Sequence, residues 1–172
     1  HDMPDREQAV TFTPADRQFV FAIARRIVGE NDAHDVASAL RKLGFEVIEK
    51  TNVAQKEMNR AIVQFGEKLN TGTVALFYYA GHGMQVKGKN YLIPVDAQIQ
   101  SEASVRSEAV DVDGVLDQLT LSSLNIVILD ACRNNPFARP GTRSLTGSQG
   151  LARMDASNGV FIMFSAGSKQ QA

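Results

Sequence analysis

73-TVALFYYAG-81 is a run that is apolar at nearly every position, and the next two residues, 82-HG-83, place a histidine between two glycines. Such continuous apolar runs are typical of a central parallel strand that helices cover on both faces. A second run of this kind, 124-LNIVILDAC-132, ends in the single cysteine of the chain. The two runs therefore predict the middle of one sheet.

The segments around these runs alternate between strand-like and helix-like patterns. Apolar residues at helical spacing predict helices over 31–45, 52–69 and 104–119. The remaining apolar runs predict strands over 17–24, 45–50 and 159–167, and a hairpin over 84–97 that turns at 87–89. This alternation predicts an α/β fold with a mostly parallel central sheet.

Composition and charge narrow the classes of function. The 172 residues are 44% hydrophobic, which fits one globular domain, and we assign it to 17–172 after a polar lead-in over 1–16. The net charge of −1 supplies no global basic field for nucleic acid or an anionic membrane. No apolar run approaches the roughly 20 residues of a membrane-spanning helix. The polar start predicts no signal segment, and hence a cytoplasmic location.

His82 and Cys132 are the candidate chemical groups. Binding sites of open α/β sheets form at the carboxyl ends of the strands, so these residues meet at one edge if their strands are neighbours. A thiol beside an imidazole is a nucleophile–base pair, and the backbone N–H groups of Gly83 and Cys132 can stabilise an oxyanion. Taken singly, Cys132 is more often a core residue. A cap of the strand end explains His82 equally well. Their joint position favours the reactive pair.

Three motifs together carry a family resemblance: 78-YYAGHGMQ-85, 90-NYLIPVDA-97 and 130-DACRNNPF-137. With the histidine 50 residues before the cysteine, they resemble the caspase-like peptidases over about residues 31–167. The pattern of animal caspases has Gln where this chain has Asp130 and Gly where it has Asn134. The sequence is therefore more similar to bacterial caspase-like peptidases, the relatives of paracaspases and metacaspases.

This resemblance implies a three-layer sandwich and a cysteine endopeptidase with His82 as catalytic histidine and Cys132 as nucleophile. Paracaspases and metacaspases cut after Arg or Lys, and their acidic specificity residues match Asp130 and Asp32 here. Two carboxylates can pair a guanidinium or ammonium by charge-assisted hydrogen bonds. Protein or peptide substrates with Arg or Lys at P1 are thus implied. On local grounds Asp32, like Asn31, is as well explained as the N-cap of the first helix.

The segment 133–156 is rich in Gly, Ser and Arg and reads as a long loop. The resemblance implies self-processing there, after Arg139, Arg143 or Arg153, although a basic loop without processing is an equal alternative. It also implies that Ser165, Ala166 and Gly167, at the end of the last strand, line the substrate cleft.

Other points rest on the resemblance or stay open. No cofactor and no metal are expected from the sequence, and calcium dependence stays undecided. A complete domain of this family continues into a further helix and strand, so we expect a C-terminal part outside this sequence. An idle caspase-fold scaffold and a different α/β cysteine hydrolase are the alternatives. The oligomeric state is not predicted.

Overall fold

The computed structural model of the protein describes residues 18–24, 30–132, 151, 154 and 159–164, and for 18–24, 30–33 and 132 it describes the backbone alone. The elements are, in chain order, β1 (Gln18–Ala24), α1 (Glu30–Lys42), β2 (Glu46–Thr51), α2 (Gln55–Glu67), β3 (Val74–Val86), β4 (Lys89–Leu92), α3 (Glu102–Glu108), β5 (Val110–Asp111), α4 (Val112–Gln118), β6 (Leu124–Cys132) and β7 (Val160–Phe164).

A parallel sheet forms the middle layer of the fold. Its strand order is β2-β1-β3-β6-β7, and each of these neighbouring pairs is parallel. The two continuous apolar runs of the sequence are β3 and β6, and they pair directly. β4 and β5 extend the sheet as an antiparallel branch from the C-terminal part of β3. The sequence left open whether the two central strands are neighbours, and the structure shows that they are.

Helices cover both faces of this sheet. On one face, α2 and α4 pack on β3 and β6 around a buried core that includes Met58, Ile62, Phe65, Val115, Leu119, Phe77, Tyr79, Val127 and Leu129. On the other face, Val36 of α1 packs against Tyr78 of β3. The predicted three-layer α/β sandwich is confirmed. Among the described helices, none has the length and apolarity needed to cross a membrane.

β3 is longer than the strand predicted over 73–81. It continues through His82 and Gly83 to Val86 and then turns back into β4 through Lys87 and Gly88, whose φ angles are 50° and 80°. Two successive positive φ angles are the signature of a two-residue type I′ hairpin turn. The turn is therefore one residue shorter than expected.

β4 ends at Leu92, so residues 93–97 are not the strand that the hairpin prediction made of them. Pro94 has no N–H to donate to a ladder. The N–H of Val95 instead donates to the carbonyl of Val53 at 3.2 Å. Asp96 Oδ1 accepts from the N–H of Gln55 at 2.9 Å and so caps α2, whose N-cap residue makes no side-chain bond of its own. This segment therefore ties the hairpin to α2.

The prediction of a single helix over 104–119 is wrong. α3 stops before Ala109, which is extended with φ −117° and ψ 169°, and residues 110–111 pair with β4. The side chain of Asp111 then accepts the N–H of Asp113 at 2.9 Å and starts α4. The helical spacing correctly predicted α3 and α4, but the pairing of 110–111 with β4 and the cap at Asp111 separate them into two helices.

α1 begins at Glu30, so neither Asn31 nor Asp32 is its N-cap; both lie in its first turn. A carboxylate in the first turn is still favourable, because it faces the positive end of the helix dipole. Gly44, with φ +89°, follows the end of the helix, and its N–H donates to Arg41 O at 3.0 Å.

Glu49 connects β2 to α1. Its Oε1 lies 2.9 Å from His34 Nδ1, and its Oε2 accepts from Arg41 Nη1 at 2.8 Å. The side chain of Glu49 is 18% exposed, whereas that of His34 is 67% exposed. Burial raises the pKa of Glu49, but the bonds and charges of His34 and Arg41 outweigh burial, and the pKa lies below its ordinary value of 4.5.

Replacing Glu49 with Gln is expected to destabilise the fold in a pH-dependent way. Because the pKa is lowered by folding, the ionised carboxylate stabilises the fold above pH 4.5, and this stabilisation is lost as the pH falls through the folded pKa. We expect Glu49→Gln to lower the free energy of unfolding by up to about 1 kcal/mol at neutral pH and by much less in acid. Urea titrations at the two pH values measure this.

The matched control is Glu57→Gln. Glu57 also pairs with a cation, Lys50 at 3.0 Å, but its side chain is 52% exposed. We expect a smaller loss of stability there, because exposed ion pairs contribute little. An equal loss for Glu49→Gln at neutral and acid pH would show that its charge does not hold α1 on β2.

Candidate active site

The last pair in the register of β3 and β6 is His82 with Cys132. Adjacent strands lie about 4.8 Å apart, so the backbones of the two residues are close neighbours. Side chains alternate between the faces of a strand, and Tyr78 and Ala80 belong to the face that α1 covers. His82 occupies that same face, and Cys132 holds the matching position on β6. The structure therefore brings together the two residues that the sequence singled out.

His82 stands where β3 changes partner. Up to His82 the strand pairs with β6, and from Gly83 onward it pairs with β4, where Gly83 lies opposite Leu92. The carbonyl of His82 accepts the N–H of Ile93 at 3.0 Å and the hydroxyl of Tyr79 at 2.7 Å. The backbone of the candidate catalytic histidine is therefore held from two sides.

Neither Tyr79 nor Ile93 was identified from the sequence. A signal existed for the tyrosine, because a phenol inside an apolar strand needs a hydrogen-bond partner when it is buried. Tyr79 has no exposed surface in the folded chain. The identity of its partner depended on the bend between the main sheet and the hairpin, which periodicity does not reveal.

Gly83 is buried against β6. A Cβ added at Gly83 would lie 3.0 Å from the Cβ of Ala131 and 3.0 Å from Cδ2 of Leu151. The sequence analysis gave this glycine the role of an oxyanion donor through its backbone N–H. The structure adds a packing reason, since the hairpin approaches β6 too closely for a side chain. The oxyanion role of its N–H stays a prediction.

Asp130 lies two residues before Cys132 and therefore on the same face of β6. Its register neighbour on β3 is Ala80, and the neighbour of Ala80 on β1 is Ala24. The half-buried carboxylate thus stands in a row whose other members are small. The carboxylate therefore lies on the same face of the sheet as the register pair of His82 and Cys132, one row below it.

The backbone of Asp32 approaches the same edge from α1. Asp32 precedes Val36 by four residues, about 6 Å along the helix axis. Val36 packs on Tyr78 of β3, and α1 returns from the carboxyl edge of β1 toward the start of β2. The first turn of α1 therefore lies nearer to the carboxyl edge of the sheet than Val36 does.

Several predicted site residues lie outside the described part of the chain: Ser165, Ala166, Gly167, Arg139, Arg143 and Arg153. Their suggested roles stay predictions. In the described ranges, no group of three or more His, Cys, Asp and Glu side chains is arranged to hold a metal ion.

Comparison with known proteins identifies the family to which the chain belongs. The family model of the caspase domain, a peptidase family, matches residues 16–172. The chain belongs to the caspase-domain peptidases. This confirms the caspase-like resemblance that the three motifs predicted.

Two curated relatives show sequence similarity to this caspase domain. The mucosa-associated lymphoid tissue lymphoma translocation protein 1 of Homo sapiens and its homolog in Mus musculus are each 34% identical to it over 105 residues. The match covers 59% of this chain but only 12% of each relative. The chain therefore corresponds to a small part of those proteins.

A solved structure confirms the fold. That of pro-sf-caspase-1 superposes with a TM-score of 0.57 and covers 96% of this chain and 67% of its own, at 17% sequence identity. At this identity the likeness is one of architecture, and it agrees with the three layers described above.

Gly83→Ala is expected to destabilise the caspase domain by about 1–3 kcal/mol, because the new methyl group meets Ala131, which has no rotamer to change. Gly114→Ala is the matched control: nothing lies within 4 Å of a Cβ there, and the residue is in α4. Alanine should leave stability unchanged or raise it by up to about 1 kcal/mol. Thermal and urea unfolding of both variants measure this, and equal effects would contradict close packing at Gly83.

Proposed function

We propose that this caspase domain is a cysteine endopeptidase in which Cys132 is the nucleophile and His82 the general base. The register that pairs His82 with Cys132 at the carboxyl edge of the central strands carries the proposal. A thiol needs a base at hydrogen-bonding range to react at neutral pH, and neighbouring register positions on one face supply that proximity.

The reaction follows from these positions. The imidazole of His82 takes the proton of the Cys132 thiol, and the thiolate attacks the carbonyl carbon of the scissile peptide. The N–H groups of Gly83 and Cys132 stabilise the oxyanion that forms. The protonated imidazole then gives its proton to the leaving amine, and an acyl-enzyme remains. Water activated by His82 attacks the thioester, and the thiolate leaves.

Substrates with Arg or Lys at P1 fit the surroundings of this pair. The half-buried carboxylate of Asp130 stands one row below the pair, beside Ala80 and Ala24, and the first turn of α1 brings Asp32 toward the same edge. A guanidinium forms charge-assisted hydrogen bonds with two carboxylates in a planar geometry. An acidic P1 residue would be repelled by the same groups.

The wider features of the proposal follow from the composition of the sequence and from the family resemblance. Proteins or peptides are the substrates, and neither a nucleic acid nor a membrane is proposed as a partner. The mechanism requires no cofactor, and a calcium requirement is left to experiment. An enzyme that cuts after Arg could process its own segment 133–156 at Arg139, Arg143 or Arg153. Residues 165–167 would line the cleft, and the cytoplasm is the proposed location.

Peptides that differ only at P1 test the reaction. We expect hydrolysis after Arg and Lys, little after Ala and none after Asp. Cys132→Ala should lower the rate by at least about 10³-fold, since removal of a nucleophile leaves only binding and oxyanion stabilisation. Iodoacetamide should modify the wild-type thiol quickly near neutral pH and should abolish hydrolysis.

The other outcomes of that measurement have separate meanings. Cleavage after Asp alone would agree with the catalytic pair of His82 and Cys132 but would contradict the roles of Asp32 and Asp130 in binding a basic P1 residue. A slow thiol and no cleavage would favour an idle scaffold, and hydrolysis of small acyl esters alone would favour a different cysteine hydrolase.

Asp130→Asn tests the specificity separately. We expect kcat/KM for Arg peptides to fall by at least about tenfold while that for Ala peptides is kept, because only the cationic side chain loses its partner. The rate of thiol alkylation should stay the same. The matched control is Asp117→Asn, an exposed residue of α4 on the opposite side of the sheet, which should change neither value. Equal losses for all peptides would contradict a role of Asp130 in P1 recognition.

A further inference from the structure

The hydroxyl of Tyr79 makes a hydrogen bond to the backbone of the proposed active site. Tyr79 and His82 occupy opposite faces of β3, and the ring of Tyr79 is fully buried in the core that α2 and α4 cover. Its hydroxyl donates to the carbonyl of His82 at 2.7 Å and lies 3.3 Å from that of Ile93. The tyrosine therefore contacts the histidine through its backbone.

That carbonyl belongs to the peptide unit between His82 and Gly83. A trans peptide unit is planar, and its C=O and N–H point in opposite directions. A group that fixes the carbonyl of His82 therefore also fixes the direction of the N–H of Gly83. A carbonyl oxygen has two lone pairs, and here the Tyr79 hydroxyl and the N–H of Ile93 supply two donors.

Hydrogen bonds to a carbonyl also polarise the peptide unit. Chains of hydrogen bonds strengthen one another in a low-dielectric interior, and a peptide with two donors on its oxygen has a more positive N–H. Tyr79 supplies the shorter of the two bonds to His82, from the dry side of the sheet. The N–H of Gly83 is the group to which the proposed mechanism gives the oxyanion.

We propose that Tyr79 is a positioning residue for this oxyanion donor. Its hydroxyl holds the plane of the 82–83 peptide and polarises it, so that the N–H of Gly83 is directed and strengthened before a substrate binds. The inference rests on the proposed function, because the oxyanion exists only in acyl transfer. It adds a residue of the hydrophobic core to the catalytic apparatus without contact to the substrate.

Tyr79→Phe removes one oxygen and keeps the ring. Because the oxyanion forms only in the transition state, we expect kcat for the Arg peptide to fall about tenfold while KM stays within about twofold. The matched control is Tyr91→Phe. Tyr91 is 3% exposed on β4, in the separate core cluster of the hairpin, so it loses the same oxygen from another site. We expect its kcat to stay that of the wild type.

A spectroscopic readout separates this role from a loss of stability. In the amide spectrum of the uniformly ¹⁵N-labelled chain, Tyr79→Phe should move the Gly83 amide proton upfield, because its carbonyl partner loses a donor. Tyr91→Phe should leave that signal in place. Equal changes of kcat in the two variants, or a Gly83 amide unchanged in Tyr79→Phe, would overturn the proposal.

The failure of the proposed function has a different signature. If the wild type cleaves no peptide while the Gly83 amide still moves in Tyr79→Phe, the effect on the peptide plane stands and the peptidase activity is wrong. If the wild type cleaves peptides and Tyr79→Phe keeps its kcat, the peptidase stands and the role of Tyr79 is wrong.

A second measurement tests the proposal even if the Tyr79→Phe variant does not fold. Replacing the three tyrosines of the chain with 3-fluorotyrosine keeps every ring and makes each hydroxyl a more acidic donor. We then expect the Gly83 amide proton to move downfield, opposite to the effect of Tyr79→Phe. A signal that does not move would overturn the proposal.

Discussion

The in-register pairing of β3 with β6 is the constraint on which the rest of the structure depends. It runs from Val74 opposite Leu124 to His82 opposite Cys132. Because side chains alternate along a strand, a slip of one residue would move Cys132 to the face of the hydrophobic core. The apolar side chains below the site resist such a slip, since Phe77, Val127 and their neighbours are fully buried against α2 and α4. The core thus fixes the geometry of the proposed reactive pair.

The second constraint is the change of strand partner at His82 and Gly83. β3 leaves the parallel sheet there and enters an antiparallel hairpin without a break. A strand that changes partner can leave backbone groups without hydrogen bonds. Here the carbonyl of His82 accepts hydrogen bonds from the N–H of Ile93 and from the hydroxyl of Tyr79. Gly83 allows the hairpin to lie against Ala131 of β6. Rigidity at this corner comes from packing and hydrogen bonds together, which suits a site that must hold a nucleophile and a base in place.

Surface electrostatics support the framework from outside. Glu49 connects α1 to β2 through His34 and Arg41, and Asp96 caps α2 from the segment that follows the hairpin. Gln55, at the start of α2, donates to the carbonyls of Ser107 and Ala109 at 2.9 and 3.0 Å. The motif 90-NYLIPVDA-97 thus has a structural explanation. The N–H of Ile93 donates to the carbonyl of His82, and the side chain of Asp96 caps α2.

The sequence alone was enough to predict the central strands and the α/β class, because burial on both faces of a sheet demands uninterrupted apolar runs. It also identified His82 and Cys132, because they end those runs. The division of 104–119 into two helices could not, since Asp111 caps α4 only where Val110 pairs with β4. Nor could the bond from Tyr79 to His82, or the closeness of Gly83 to Ala131. Periodicity reports which face of an element is buried, whereas the identity of a partner depends on where distant strands bend and meet in space.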